Sequence, residues 1–162
     1  QFDATMRTHA LFGEMSTLVE RIEKARSAAE ARAAGLSQQD DLGKKLRSVA
    51  DKLDNVRKEI VATKEGGAIT GEERIREHAD NLYGALLRWE GRPARYQVER
   101  IDSLKRELDD VKRQFEGVVA EQVRPLDSAL RSRNMEPIPT DLPASTTASA
   151  TIIDSDAQPS NR

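Results

Sequence analysis

The chain has no cysteine, few aromatic residues and no long apolar run. The absence of cysteine excludes disulfide bridges and thiolate metal sites, although it leaves the cellular compartment open. Aromatic residues make up 4% of the 162 positions, apolar residues 37% and charged residues 33%, a balance that favours a helical bundle over a thick globular core. No stretch approaches the roughly 18 apolar residues of a membrane-spanning helix, so no span is predicted.

An excess of charge is also missing from the body of the chain. Residues 1–139 contain 25 basic and 25 acidic residues, and the small acidic surplus comes from aspartates that follow. A nucleic-acid or anionic-membrane surface requires a basic excess on one face, so no nucleic-acid partner is predicted. The sequence begins at Gln1 without an initiator methionine or a signal sequence, and we interpret it as part of a longer protein.

Four segments show apolar residues at the spacing of amphipathic helices, and they are predicted to span about residues 2–34, 38–64, 71–90 and 95–133. Their stripes are Met15, Leu18, Ile22, Ala25 and Ala29; Leu42, Leu46, Val49, Leu53, Val56 and Ile60; Ile75, Ala79, Leu82, Leu86 and Trp89; and Ile101, Leu104, Leu108, Val111, Phe115 and Val118. Burying the second stripe contributes roughly 10–15 kcal/mol. Ordering its helix costs roughly 40 kcal/mol, so the stripes must pack against one another.

Capping residues indicate where the helices begin and end. Gly35 ends the first helix. Ser37 with Asp40 resembles an acidic capping box for the second helix, and Thr70 with Glu73 forms a capping box for the third. The turns between consecutive helices are therefore short.

Short turns predict an all-α, up-down-up-down four-helix bundle over residues 1–139. Pro125 is predicted to kink the last helix, because proline lacks an N–H and its ring clashes with the carbonyl four residues back. After residue 139 the composition changes to serine, threonine, alanine and proline. This change predicts a disordered tail over residues 140–162.

No pattern indicates a catalytic, cofactor or metal site. His9 and His78 lack the glutamate three residues earlier that a di-metal carboxylate bundle requires. The acidic pairs Asp40–Asp41, Glu72–Glu73 and Asp109–Asp110 point about 100° apart on a helix and cannot flank one substrate bond. We interpret them as capping and solvated residues, and we predict that this chain is not an enzyme.

One turn is locally basic and aromatic, and it supplies the candidate interaction residues Arg88, Trp89, Arg92, Arg95 and Tyr96. Arginine beside aromatic rings is typical of interface anchors and of cation–π contacts. The alternative interpretation is that Trp89 continues the third stripe and that the arginines are solvated. If the turn binds a partner, another domain fits it better than a small molecule.

A set of turn and terminal residues carries a family resemblance. The set comprises Gln1-Phe2-Asp3 followed by Met6-Arg7, then Gly91-Arg92-Pro93 before the last helix, and finally Pro125–Leu130 and Met135–Ile138. Together they resemble the C-terminal helical region of large secreted bacterial proteins, built on sialidase-like, sortilin-like (Vps10-type) β-propellers with BNR repeats and often described as glycosyl hydrolases. The resemblance covers about residues 1–139. Asn134 stands where that family tends to have glycine, and asparagine is the next-best residue for a left-handed helix stop.

The resemblance implies a β-propeller upstream of Gln1, which would hold the Asp-box repeats and catalytic arginines that this chain lacks. It also implies a non-catalytic accessory domain, used in interdomain docking or assembly, in a secreted or periplasmic protein. One rival interpretation is a free-standing coiled-coil adaptor or oligomerisation module whose stripes pair between chains. Another is a bundle that lends Arg88 or Arg92 to an active site on a neighbouring domain.

Overall fold

The computed structural model describes residues 2–63, 73–88 and 91–141. The helices are α1 (Phe2–Ala34), α2 (Asp41–Ile60), α3 (Ile75–Arg88), α4 (Arg95–Val118) and α5 (Asp127–Ser132), with a π helix at Val119–Val123 and a 3₁₀ turn at Arg124–Leu126 between α4 and α5. These three ranges contain no β-strand. The prediction of an all-α helical bundle is confirmed.

The apolar stripes of the four long helices meet in one core. The stripe residues of α1, α2 and α3 are buried as predicted, whereas Trp89 lies outside the described residues. In the last helix Val118 is only half-buried, and Val119 takes its place in the core. The stripe then continues through Val123, Leu126 and Leu130, because the helix widens into a π turn at Val119.

Ion pairs show that α2 packs antiparallel to the second half of α1. Arg26 of α1 pairs with Asp54 at 3.0 Å, and Glu23, one turn earlier, pairs with Arg57 at 3.1 Å. As the residue number falls along α1 it rises along α2, which is the up-down order predicted for these two helices.

The third helix lies against the first half of α1 and runs in the same direction as α2. The rings of Phe12 and Tyr83 meet edge to face with their centroids 5.9 Å apart, while Arg76 lines a groove with Val19 and Ile60, further along α1. The lengths explain this arrangement. α2 and α3 have 20 and 14 residues, so together they cover the 33 residues of α1.

The fourth helix runs parallel to α1. Three ion pairs set the register along both helices: Arg7 with Asp102, Glu14 with Lys105 at 3.1 Å, and Arg21 with Glu116 at 2.9 Å. The chain therefore ascends in α1, descends through α2 and α3 in turn, and ascends again in α4. The strict alternation of four directions expected from the sequence holds within the pairs α1–α2 and α3–α4, but not between α2 and α3.

The last helix is interrupted just before the proline that was predicted to kink it. The Arg124 N–H donates to the carbonyl of Val119, five residues back, which is the π-helical pattern. Pro125 then lies in the first turn of the 3₁₀ segment, a position at which a residue without an N–H is tolerated. The predicted single helix over residues 95–133 is thus α4, a π helix, a 3₁₀ turn and α5.

The end of α5 confirms the left-handed stop. Asn134 has a φ of 57°, and among the described non-glycine residues it alone has a positive φ. Its N–H donates to the Arg131 carbonyl at 3.0 Å, and the Met135 N–H donates to the Leu130 carbonyl at 2.9 Å. These two bonds form a complete Schellman motif, which reverses the chain.

The second helix starts and ends inside its predicted range of 38–64. Asp40, not Ser37, is the N-cap, because its carboxylate accepts from the Gly43 N–H at 3.0 Å. At the other end Val61 is extended, with φ and ψ of −122° and 128°, so the helix ends at Ile60.

The third helix begins at Ile75, about four residues later than predicted. The N–H of Arg74 donates to the side chain of Glu77 at 2.9 Å, which is the reverse half of a capping box. Glu73 therefore does not complete the predicted box, and Thr70 lies outside the described residues.

After α5 the chain forms the C-terminal strap, Met135–Asp141, which runs back along α1. Two arginines of α1 hold the strap, and they stand about three helical turns apart. Hydrogen bonds run from Arg32 to the carbonyl oxygens of Glu136 and Pro137 at 2.6 and 2.9 Å, and from Arg21 to that of Thr140 at 3.0 Å.

The strap belongs to the core. Ile138 and Thr140 are 5% and 7% exposed, and the Arg21 guanidinium that binds Thr140 lies 4.9 Å from the centre of the Phe115 ring. The predicted boundary of the tail at residue 140 is therefore too early by at least two residues. Residues 142–162, the rest of the predicted tail, lie outside the described residues.

Candidate docking surface

The helix directions give the bundle two different ends. Because α1 and α4 are parallel and α3 is antiparallel to both, the start of α1, the end of α3 and the start of α4 meet at one end, here called the open end. The opposite end, here called the tied end, contains the end of α1, the start of α2, α5 and the beginning of the strap.

Large apolar side chains are exposed at the open end. Among the described residues, the exposed large hydrophobics are Phe2 at 80%, Met6 at 50%, Leu87 at 57% and Tyr96 at 69%. Phe2 and Met6 lie in the first two turns of α1, Leu87 in the last turn of α3, and Tyr96 in the first turn of α4. All four therefore lie at the open end.

The structure places the predicted basic and aromatic turn at this same end. Arg88, Arg92 and Arg95 are all exposed. The Arg88 Nε donates to the Gly84 carbonyl at 3.0 Å, and the Arg95 Nε lies 2.7 Å from the Glu99 carboxylate. Trp89, the remaining predicted member beside Tyr96, lies outside the described residues.

Local sequence explains the shape of this turn. Gly91 has a φ of 140°, a conformation that residues with a side chain rarely adopt. Ala94 is the N-cap of α4 and offers no side-chain acceptor, as its identity predicts. Instead, the buried side chain of Gln97 accepts from the Ala94 N–H at 2.9 Å, which fixes the first turn of α4 and so the position of Tyr96.

Sequence reasoning missed Phe2, Met6 and Leu87 as surface residues. The signal for Leu87 was present, because it follows Leu86 directly and therefore points about 100° away from the α3 stripe. Phe2 and Met6 likewise fall off the α1 stripe, whose early buried members are Ala4, Thr8 and Leu11.

Several of the acidic and histidine residues considered as catalytic candidates have structural partners. Asp109 binds Lys105 at 2.5 Å, whereas Asp110 pairs with Arg113. His78 lies 3.3 Å from Glu73 and is partly exposed. Within the described ranges, no three His, Cys, Asp or Glu side chains are grouped so that they could hold a metal ion.

The described helices also lack a candidate membrane span, since none combines sufficient length with sufficient apolar character. Exposed apolar side chains and exposed arginines thus share the open end, where they lie on the ends of three helices. No protein-family model, no curated protein and no solved structure matches this chain.

Proposed function

We propose that this chain is a non-catalytic helical accessory domain that docks onto a neighbouring domain of a larger protein through its open end. The observation that carries the proposal is that Phe2, Met6, Leu87 and Tyr96 all lie at one end of the bundle, as do three exposed arginines. Single exposed apolar residues are ordinary, whereas the confinement of all four to one end of the described bundle favours an interaction surface there.

The residue types at the open end support a protein partner. Tyrosine and arginine are enriched among the residues that contribute most to protein–protein binding, and arginine is favoured at such surfaces over lysine. Arg88, Arg92 and Arg95 would face their own copies in a symmetric dimer formed through this end. A partner with carboxylates around an apolar depression is the better electrostatic fit.

The neighbouring domain that we propose is the β-propeller of a secreted, sortilin-like or BNR-repeat protein. The support is the set of turn and terminal residues, chiefly Gly91-Arg92-Pro93 and the stretch from Pro125 to Ile138. The left-handed Asn134 supports the same ending, because it supplies the helix stop for which that family tends to use glycine. A domain that preceded α1 in the polypeptide would lie directly beside the open end.

The burial pattern favours this proposal over a free-standing coiled-coil adaptor. Pairing between chains requires an apolar seam along the outside of a helix. In the described helices the stripes face one another inside a single chain, and the exposed large apolar residues are confined to one end.

The test uses the full-length polypeptide that contains this chain, with Leu87→Asp and Tyr96→Asp combined. We expect the double variant to separate the bundle from its neighbour, because buried carboxylates in an apolar contact cost more than the contact contributes. Small-angle X-ray scattering would then show a larger radius of gyration, and limited proteolysis would show faster cleavage between the two domains.

Ser27→Asp is the matched control, because it adds a carboxylate to an exposed position of α1 far from the open end. It should leave scattering and proteolysis unchanged. An unchanged radius of gyration in the Leu87→Asp/Tyr96→Asp variant, with the helical circular dichroism intact, would overturn docking through the open end. If the isolated chain forms a stable dimer and the Leu87→Asp/Tyr96→Asp variant is a monomer, the surface would instead be assigned to a second copy.

A further inference from the structure

The strap runs toward the open end. It passes Arg32 first and Arg21 last, and Asp141 at its end lies 3.3 Å from the Arg21 guanidinium. Since α1 begins at the open end, the strap descends α1 in the direction of that end. The chain beyond Asp141 therefore starts from the side of the bundle, about 20 Å along the axis from Leu87 and about 28 Å from Phe2.

The length of the chain beyond the strap is sufficient to reach the open end. Ile152 follows Asp141 by eleven residues, which span at most about 36–40 Å when extended. The axial distances to Leu87 and to Phe2 are both within this extended limit.

One segment beyond the strap has the chemistry that the open end lacks. Residues 152–156 read Ile-Ile-Asp-Ser-Asp, an adjacent apolar pair followed by two carboxylates, and no other apolar pair of this size occurs after residue 142. The open end presents exposed Leu87 and Tyr96 beside a group of arginines. The apolar and charged parts of the two surfaces are complementary.

We propose that Ile152–Asp156 binds the open end of its own chain, with the isoleucines on the exposed apolar residues and the aspartates toward the arginines. The segment then competes with the neighbouring domain for the same surface, a consequence that rests on the proposed function. The binding itself does not, because it requires only this chain.

Because the segment is tethered to the bundle, a weak affinity is sufficient for it to occupy the open end for much of the time. A short tether that can reach its site gives an effective concentration on the order of millimolar, so a tethered segment with a Kd of about 1 mM occupies its site about half of the time. The contact is then reversible, and a neighbouring domain that binds more tightly displaces it. Salt weakens the part of the contact that comes from the aspartates.

The experiment compares the full chain with its Ile152→Ser/Ile153→Ser variant. Hydrogen exchange of residues 86–88 and 91–97 reports on the open end. From half occupancy, loss of the contact should raise this exchange by about twofold. Asp154→Asn/Asp156→Asn should give a smaller increase, comparable to that of the unaltered chain in 1 M salt.

Thr146→Ser/Thr147→Ser is the matched control, because it changes two residues between the strap and the segment. It should behave as the unaltered chain does, and a synthetic peptide of residues 149–158 should restore protection to the Ile152→Ser/Ile153→Ser variant. Equal exchange in that variant, the control and the unaltered chain would overturn the inference and leave the docking test on Leu87 and Tyr96 unaffected. Protection that depends on protein concentration would overturn it too, by assigning the contact to a second copy.

Discussion

Arginines bind different kinds of partner at the two ends of this bundle. At the tied end, Arg47 donates to the carbonyls of Ser37 and Gln38 at 3.4 and 3.2 Å, and Arg133 binds Asp40 at 2.6 Å. At the open end, Arg88 and Arg95 bind the Gly84 carbonyl and the Glu99 carboxylate, each one turn away in the same helix. The residue type is the same, so the difference lies in the partners: the contacts of Arg47 and Arg133 join separate elements, whereas those of Arg88 and Arg95 stay within one helix.

The partners follow from how the helices end. The tied end contains a helix C-terminus followed by a loop, and the strap begins there, so free carbonyl oxygens are abundant and arginine satisfies them. The open end combines two helix N-termini with one C-terminus. There Arg88 and Arg95 bind acceptors one turn away in their own helices, and their side chains remain exposed to a partner.

The largest expected contrast comes from the same substitution at both ends. Leu130→Ala at the tied end, where the side chain is 0% exposed, should lower the free energy of unfolding by about 2–5 kcal/mol through the cavity it leaves. Leu87→Ala at the open end, where the side chain is 57% exposed, should change it by less than about 0.5 kcal/mol. Urea unfolding followed by circular dichroism measures both.

Similar losses in the two leucine variants would contradict the description of the open end as an unfilled surface. Leu108 lies in the middle of α4 and is 2% exposed, so Leu108→Ala serves as the reference for a core leucine. It should lower the free energy of unfolding by about as much as Leu130→Ala does.

A smaller effect is expected at the helix stop of the tied end. Asn134 has a φ of 57°, a conformation that costs residues with a Cβ roughly 1–2 kcal/mol. Asn134→Ala should therefore lower the free energy of unfolding by about 1 kcal/mol, because alanine lacks the local hydrogen bonding that helps asparagine tolerate this conformation. Asn134→Gly should be neutral or stabilising. Thermal unfolding measures the order of stability among the unaltered chain and the two variants.

Arg131 is the matched control for that order, because it is exposed and lies in the right-handed turn just before Asn134. The Arg131→Ala variant should be more stable than the Arg131→Gly variant by up to about 1 kcal/mol, which is the reverse of the order expected at Asn134. The same order at both positions would contradict the left-handed stop.

The smallest effect concerns acid pH. The Arg133 guanidinium, and after it the Gly43 N–H, hold the pKa of the Asp40 carboxyl below its ordinary value. A pKa lowered by folding stabilises the protein above the unfolded pKa of about 4, and this contribution is lost as the pH falls through the folded pKa. Asp40→Asn keeps an N-cap acceptor but removes the charge.

The Asp40→Asn variant should therefore be slightly less stable than the unaltered chain at pH 7, and the difference should shrink below about pH 4. Urea unfolding at a series of pH values measures it. A difference that stays constant down to the acid limit would show that the ion pair with Arg133 contributes nothing to stability.

Residues that act within one helix were predictable. The bounds of α1, the buried stripes and the left-handed Asn134 follow from periodicity and from the conformational preferences of single residues. The start of α2 was less certain, because Ser37 and Asp40 are both good N-caps. Asp40 has a further partner in Arg133, 93 residues away, which no local pattern reveals.

The sequence by itself determined which face of α1, α2, α3 and most of α4 is buried, and where asparagine ends the last helix. Only the tertiary structure decided that α3 continues in the direction of α2, because a period of 3.6 residues fixes a face and says nothing of the helix it meets. That direction brings Leu87 to the end where Phe2 and Tyr96 lie. The open end is therefore a product of packing, assembled from residues that are far apart in the chain.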